Sequence, residues 1–122
     1  TENVKALKEV GKEIGAIVNK QGIKDKIIIV ASSDMTHYEA QADAEKKDKQ
    51  AIEAILELNS EKLTKRIKRF NISMCGWAPA VVMIEAAKSL GAKNAKLIRY
   101  QTSGDITGDR DSVVGYAGIT LY

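Results

Sequence analysis

One histidine, one cysteine and an aspartate three positions before the histidine hold most of the chemistry this sequence offers. His37 lies in the stretch Ser32-Ser33-Asp34-Met35-Thr36-His37-Tyr38. An imidazole serves as a metal ligand or as a general acid and base, and a nearby carboxylate fixes its tautomer. Asp34 is close enough to share one pocket with it, although the same spacing also suits an ordinary surface loop. Cys75 precedes Gly76-Trp77-Ala78-Pro79 and a long apolar stretch. A thiol just ahead of a helix N-terminus sits near its positive end, which favours the thiolate. That suits a metal ligand, a nucleophile or an anion site; the plain alternative is a small buried hydrophobe.

The elements that must position these residues follow from hydrophobic spacing. Val4, Leu7, Val10, Ile14, Ile17 and Val18 recur at three- and four-residue steps, which predicts a helix ending near Asn19 to Gly22. Ile27-Ile28-Ile29-Val30-Ala31 is apolar on both faces and predicts a buried strand, of the kind found in parallel sheets. The aperiodic stretch from Ser32 to Asp43 would then leave the C-terminal end of that strand, where α/β sheets build sites. A second helix is expected from about Ala44 to Leu58, and a short third from Ser60, as N-cap, through Phe70. Pro79 opens a fourth, buried helix running to Leu90, with Gly91 as its stop. Leu97 to Thr102 and Val113 to Tyr122 read as two strands joined as a long hairpin. The order argues for one layered α/β domain over residues 1–122, with a mixed sheet flanked by helices.

Composition narrows the function classes. The 122 residues are 44% apolar and 29% charged, an ordinary globular balance that excludes disorder and collagen-like repeats. A net charge of +3 is too small to mark a nucleic-acid binder. No apolar run approaches the roughly 18 residues of a membrane span, so no membrane partner is expected. One cysteine forms no internal disulfide, which fits the cytoplasm. Asp105, Asp109 and Asp111 share a loop, but their spacing departs from that of an EF-hand, so turn formation is expected of them. Lys62, Lys65, Arg66, Lys68 and Arg69 read as the solvated face of the third helix.

Taken together, three separated motifs add a resemblance. Ser32-Ser33-Asp34-Met35-Thr36-His37-Tyr38 resembles the serine-serine-aspartate and histidine-aromatic motif of the Memo family. Ile72-Ser73-Met74-Cys75-Gly76, followed by Pro79, looks like that family's cysteine-glycine-proline motif. Tyr100-Gln101-Thr102-Ser103, then Asp111-Ser112-Val113-Val114-Gly115-Tyr116-Ala117-Gly118, is similar to its C-terminal motifs, in wording like that of the archaeal branch. The resemblance implies the fold of class III extradiol dioxygenases, a mixed sheet between helix layers. It also implies a pocket for iron or copper held by two histidines from the N-terminal half and a cysteine from the C-terminal half. The family cysteine maps onto Cys75, and the motif aspartate and histidine map onto Asp34 and His37. Animal members bind phosphotyrosine peptides; microbial members have no settled activity.

Family members run well over twice this length, and their two N-terminal histidines have no counterpart here. The chain is therefore expected to be the C-terminal half of a Memo protein, with Thr1 a cut end. Its partner would be the missing N-terminal half or another copy of the chain in a homo-oligomer. In a complete dioxygenase-like site, Cys75 would be a metal ligand and His37 a second ligand or a proton shuttle, with Asp34 orienting it. The competing expectations are a non-catalytic module for anionic or phosphorylated peptides, and an inert fragment.

Overall fold

The computed structural model describes residues 3–122. Helix α1 spans Val4–Gln21. The Asn3 side chain accepts from the Ala6 N–H at its start, and Gly22 closes it in the left-handed region at φ 63°. Its buried face is Leu7, Gly11, Gly15 and Val18. Val10 and Ile17, counted in the predicted stripe, are 49% and 57% exposed. The glycines explain the difference: α1 lies so close to a later helix, α4 (Trp77–Ser89), that a Cβ on Gly11 would stand 2.5 Å from the Val82 carbonyl oxygen.

Helix α2 covers Gln41–Leu56 and α3 covers Ser60–Arg69. The cap of α3 is Asn59 rather than Ser60, its side chain accepting from the Lys62 N–H at 2.9 Å. Ser60 is buried instead and donates to Glu85 of α4 at 2.6 Å. The basic face of α3 is solvated as expected and partly paired, Lys62 with Glu57 and Arg66 with Glu53. In α4, Pro79 occupies the first turn, where its missing N–H is tolerated. Leu63, Val81 and Ile84 are fully buried where α3 and α4 meet the other helices.

Strands β2 (Ala95–Thr102) and β3 (Val113–Leu121) form the predicted antiparallel hairpin, in register from Ala95↔Leu121 to Thr102↔Gly115. The connection holds a single helical turn, α5 (Gly104–Thr107). The loop aspartates do structural work. Asp105 accepts from the Thr102 N–H at 2.9 Å, and Asp109 accepts from the Asp111 N–H at 3.0 Å. The Thr102 bond and the Arg110 guanidinium hold the Asp105 carboxyl below its ordinary value. One sheet face, with Leu97, Ala117, Ile119 and Leu121, packs on the helices. Alternate residues Ile98 and Tyr116 are 63% and 46% exposed.

The layered α/β class stands, with one correction. The run from Ile27 to Ala31 is not a strand; it has no ladder partner among the described residues, and Ile28 and Val30 are 87% and 74% exposed. Apolar composition favours burial, but a strand also needs a neighbouring backbone to exchange hydrogen bonds. Here a cleft of about 470 Å³ separates the run from Leu121 on β3 and from Met83 and Ala87 on α4. The sheet is therefore antiparallel throughout rather than mixed, in the order β1-β3-β2, with a short β1 at His37–Glu39 that the spacing does not announce. No helix among the described residues is long and apolar enough to cross a membrane.

Candidate metal centre

Two chain segments build the centre. The first, residues 32–37, runs beside the start of β3. The Met35 N–H donates to the Gly115 carbonyl at 2.8 Å, and the Gly115 N–H donates to the Thr36 carbonyl at 2.9 Å. Met35 and Thr36 are buried, so the segment is anchored through its middle while Asp34 and His37 reach outward. Beyond His37 the register with β3 slips, and exposed Tyr38 occupies the irregularity at φ 58°. Bulges of this kind re-aim neighbouring side chains and are frequent beside sites.

The second segment, residues 72–76, links α3 to α4. Ile72 and Met74 are buried while Ser73 and Cys75 are exposed, so alternate side chains anchor the segment and face the first one. Cys75 stands one residue before Gly76, the N-cap of α4, as its spacing to the helix predicts.

Four contacts tie the segments together, one of them between Ser33 Oγ and Cys75 Sγ at 3.7 Å. His37 N–H donates to Ser73 Oγ at 2.8 Å, Gly76 N–H donates to Ser33 Oγ at 2.8 Å, and Asp34 N–H donates to Cys75 Sγ at 3.4 Å. Gly76 is required at this crossing, because a Cβ there would lie 2.6 Å from Ser33 Cβ and 2.7 Å from the Ser32 carbonyl oxygen.

The crossing gathers all three residues singled out from the sequence. Ligand-capable atoms of Asp34, His37 and Cys75 lie within 4.8 Å of one another. His37 Nε2 and Asp34 Oδ2 are 3.4 Å apart. That is long for a charge-assisted hydrogen bond. It matches the edge of a tetrahedral site with bonds of about 2.1 Å, which is about 3.4 Å. A carboxylate oxygen, an imidazole nitrogen and a cysteine sulfur gathered this closely are a donor set that could hold a transition-metal ion once drawn in to bonding distance. The fit concerns three donors from this chain, which has a single histidine.

Three residues support the site: Ser33 and Ser73, which lie inside the quoted motifs with no role assigned to them there, and Asp48, which lies outside every motif. Asp48, on α2, is fully buried and accepts from the Thr36 N–H at 2.8 Å and from the Tyr100 hydroxyl at 2.6 Å. Burial, reinforced by Asp48, pushes the Tyr100 phenol far above its ordinary value, so it stays a donor. A signal for Asp48 does exist in the sequence. It is an acidic residue inside the apolar stripe Ala44, Ala51, Ile52, Ile55.

Comparison with known proteins agrees with the motifs. A family model described as Memo-like protein matches residues 1–120. The chain is 49% identical over 111 residues to a MEMO1 family protein of Methanocaldococcus jannaschii, covering 89% of this chain and 39% of that relative. Against relatives of Methanococcus maripaludis and Methanopyrus kandleri it is 48% and 38% identical over 115 and 119 residues. These matches cover 93% and 98% of this chain but 40% and 41% of the relatives. The chain thus spans well under half the length of the curated relatives it matches. Similarity runs through both segments that meet at Asp34, His37 and Cys75, and on this ground the chain belongs to the Memo family.

Proposed function

We propose that this chain contributes one wall of a metal pocket, with the Cys75 thiolate and the His37 imidazole as ligands and Asp34 beside His37 to orient it or complete the donor set. The observation that supports this is the convergence of the three donors within 4.8 Å across two cross-bonded segments. Iron and copper suit a mixed nitrogen, sulfur and oxygen set. When bound, such an ion supplies Lewis acidity and open positions for a small oxygen-donor substrate, as in dioxygenase-like chemistry. The chain's own part is to hold the thiolate near the start of α4 and the imidazole against Asp34. If His37 is not a ligand in the complete protein, its imidazole beside Asp34 would instead accept or return a proton at Nε2.

Anaerobic loading with Fe(II), and separately with Co(II) as a spectroscopic probe, tests the proposal. One ion per chain is expected, with a sulfur-to-cobalt charge-transfer band. Cys75→Ser abolishes that band and weakens binding by at least about 100-fold, beyond the range seen when an outer partner of a ligand is lost. Equal stoichiometry and affinity in Cys75→Ser would overturn the assignment. The alternative, capture of an anionic or phosphorylated peptide, is disfavoured by the Asp34 carboxylate in the pocket and by the pairing of Lys62 and Arg66.

The uncovered Ile28 and Val30, beside a β3 edge that has no ladder partner beyond Gly115 among the described residues, call for a cover. The proposed cover is the part of a Memo-family protein that lies outside this chain, since the relatives extend far beyond the matched region. Mixing this chain with the remaining part of the Methanocaldococcus relative should give a one-to-one complex by light scattering. Homodimers alone, or two separate species, would count against it.

A further inference from the structure

Asp48 is an expensive residue for its location. A fully buried carboxylate without a cation is unfavourable, and an apolar residue would fit the stripe of α2. Its partners are two neutral donors, the Thr36 N–H and the Tyr100 hydroxyl. Thr36 immediately precedes His37, and its own buried hydroxyl has no hydrogen-bond partner among the described residues. The side chain of Thr36 therefore does not fix its place through its hydroxyl, and the task falls to its peptide groups. The carbonyl is held by the Gly115 N–H and the N–H by Asp48. The next N–H, that of His37, is held by Ser73. Among the described residues, Asp48 is thus the one side chain of the helical layer that braces the Thr36 N–H, one peptide before the unit that leads into His37. Sheet and linking segment supply the other braces.

We propose that Asp48 is a positioning residue for His37. Its carboxylate, locked by Tyr100 on one oxygen, uses the other to set the Thr36 peptide and with it the direction in which the imidazole enters the pocket. Its metal-linked consequences rest on the proposed ligand role of His37; the orientation itself does not. His37 is the sole histidine, so ¹⁵N spectra of its imidazole report one residue without ambiguity.

The experiment compares wild type, Asp48→Ala, Asp48→Asn and Tyr100→Phe in the full chain, by His37 imidazole ¹⁵N shifts without metal and by Co(II) titration. Asp48→Ala should move or broaden the His37 signals and weaken Co(II) binding about tenfold or more, the scale of outer-partner losses at metal sites. Asp48→Asn keeps an acceptor for the Thr36 N–H and should restore wild-type shifts and most of the affinity. If Asp48→Ala does not fold, Tyr100→Phe decides, because it frees one carboxylate oxygen and should shift the same signals more weakly. A folded Asp48→Ala, or failing that Tyr100→Phe, with unchanged His37 signals would overturn the proposal, even if its melting temperature fell. A wild type that takes up no Co(II) would sink the metal proposal alone, leaving the ¹⁵N shifts to judge Asp48.

Discussion

Gly115→Ala should destabilise the protein by about 3 kcal/mol, the upper end of ordinary overpacking. A Cβ at this position would lie 2.0 Å from Asp48 Oδ2 and 3.0 Å from the Tyr100 hydroxyl oxygen. Neither atom is a flexible tip. Asp48 sits mid-helix and fully buried, with each oxygen already engaged, and moving it breaks a bond to a charge that has no water to turn to. Retreat of β3 is no easier, because Gly115 exchanges bonds with Met35 and Thr36 on one side and pairs with Thr102 on the other. Melting followed by circular dichroism should show a fall of about 10–20 °C for a domain of this size. A double-mutant cycle locates the cause. In an Asp48→Ala background the same glycine substitution should cost much less, since the obstructing carboxylate is gone. A loss under about 0.5 kcal/mol in the wild-type background, within the range of ordinary surface substitutions, would refute the argument.

Gly11→Ala is the second large effect, and its sign depends on which of two opposed terms wins. Alanine inside a helix is better than glycine by about 1 kcal/mol. Against that, the new methyl would meet the Val82 carbonyl oxygen at 2.5 Å and Glu85 Cβ at 2.7 Å. Gly15, one turn on, faces Ser89 Cβ at 2.3 Å in the same way. A backbone carbonyl of a packed helix does not swing aside, so α1 must lift away from α4 along its length. Net destabilisation of about 2 kcal/mol is expected, as overpacking outweighs propensity. Urea unfolding measures it directly. A stabilised Gly11→Ala would mean that α1 rests on α4 more loosely than these distances require.

These two glycines also mark a limit of hydrophobic periodicity. The stripe in α1 finds the helix and its end, but it weights Val10 and Ile17 and passes over Gly11 and Gly15, because contact through missing side chains leaves no apolar signal. The β2–β3 hairpin and the burial of α4 were legible, since alternation and an all-round apolar surface each have one structural meaning. The run at Ile27 to Ala31 was not, because composition reports a wish for cover and says nothing of the backbone partner that provides it. His37 and Cys75 stood out as the single residues of their types, and Asp34 by its spacing to His37, all three in motif positions. Asp48 did not, and Ser33 and Ser73, though inside the motifs, carried no visible role, since common polar residues acquire one only through the partners that folding brings to them.

The straps that close the pocket have a kinetic consequence. His37 to Ser73, Ser33 to Cys75 and Gly76 to Ser33 join positions 36, 42 and 43 apart along the chain. Each closes a long loop, and in the folded chain α2 and α3 lie within that interval. The donor triad therefore has no precursor in any short peptide from this sequence. It comes into being with the tertiary fold, so an ion bound as proposed would draw on the same free energy that folds the chain, and local unfolding would speed its release.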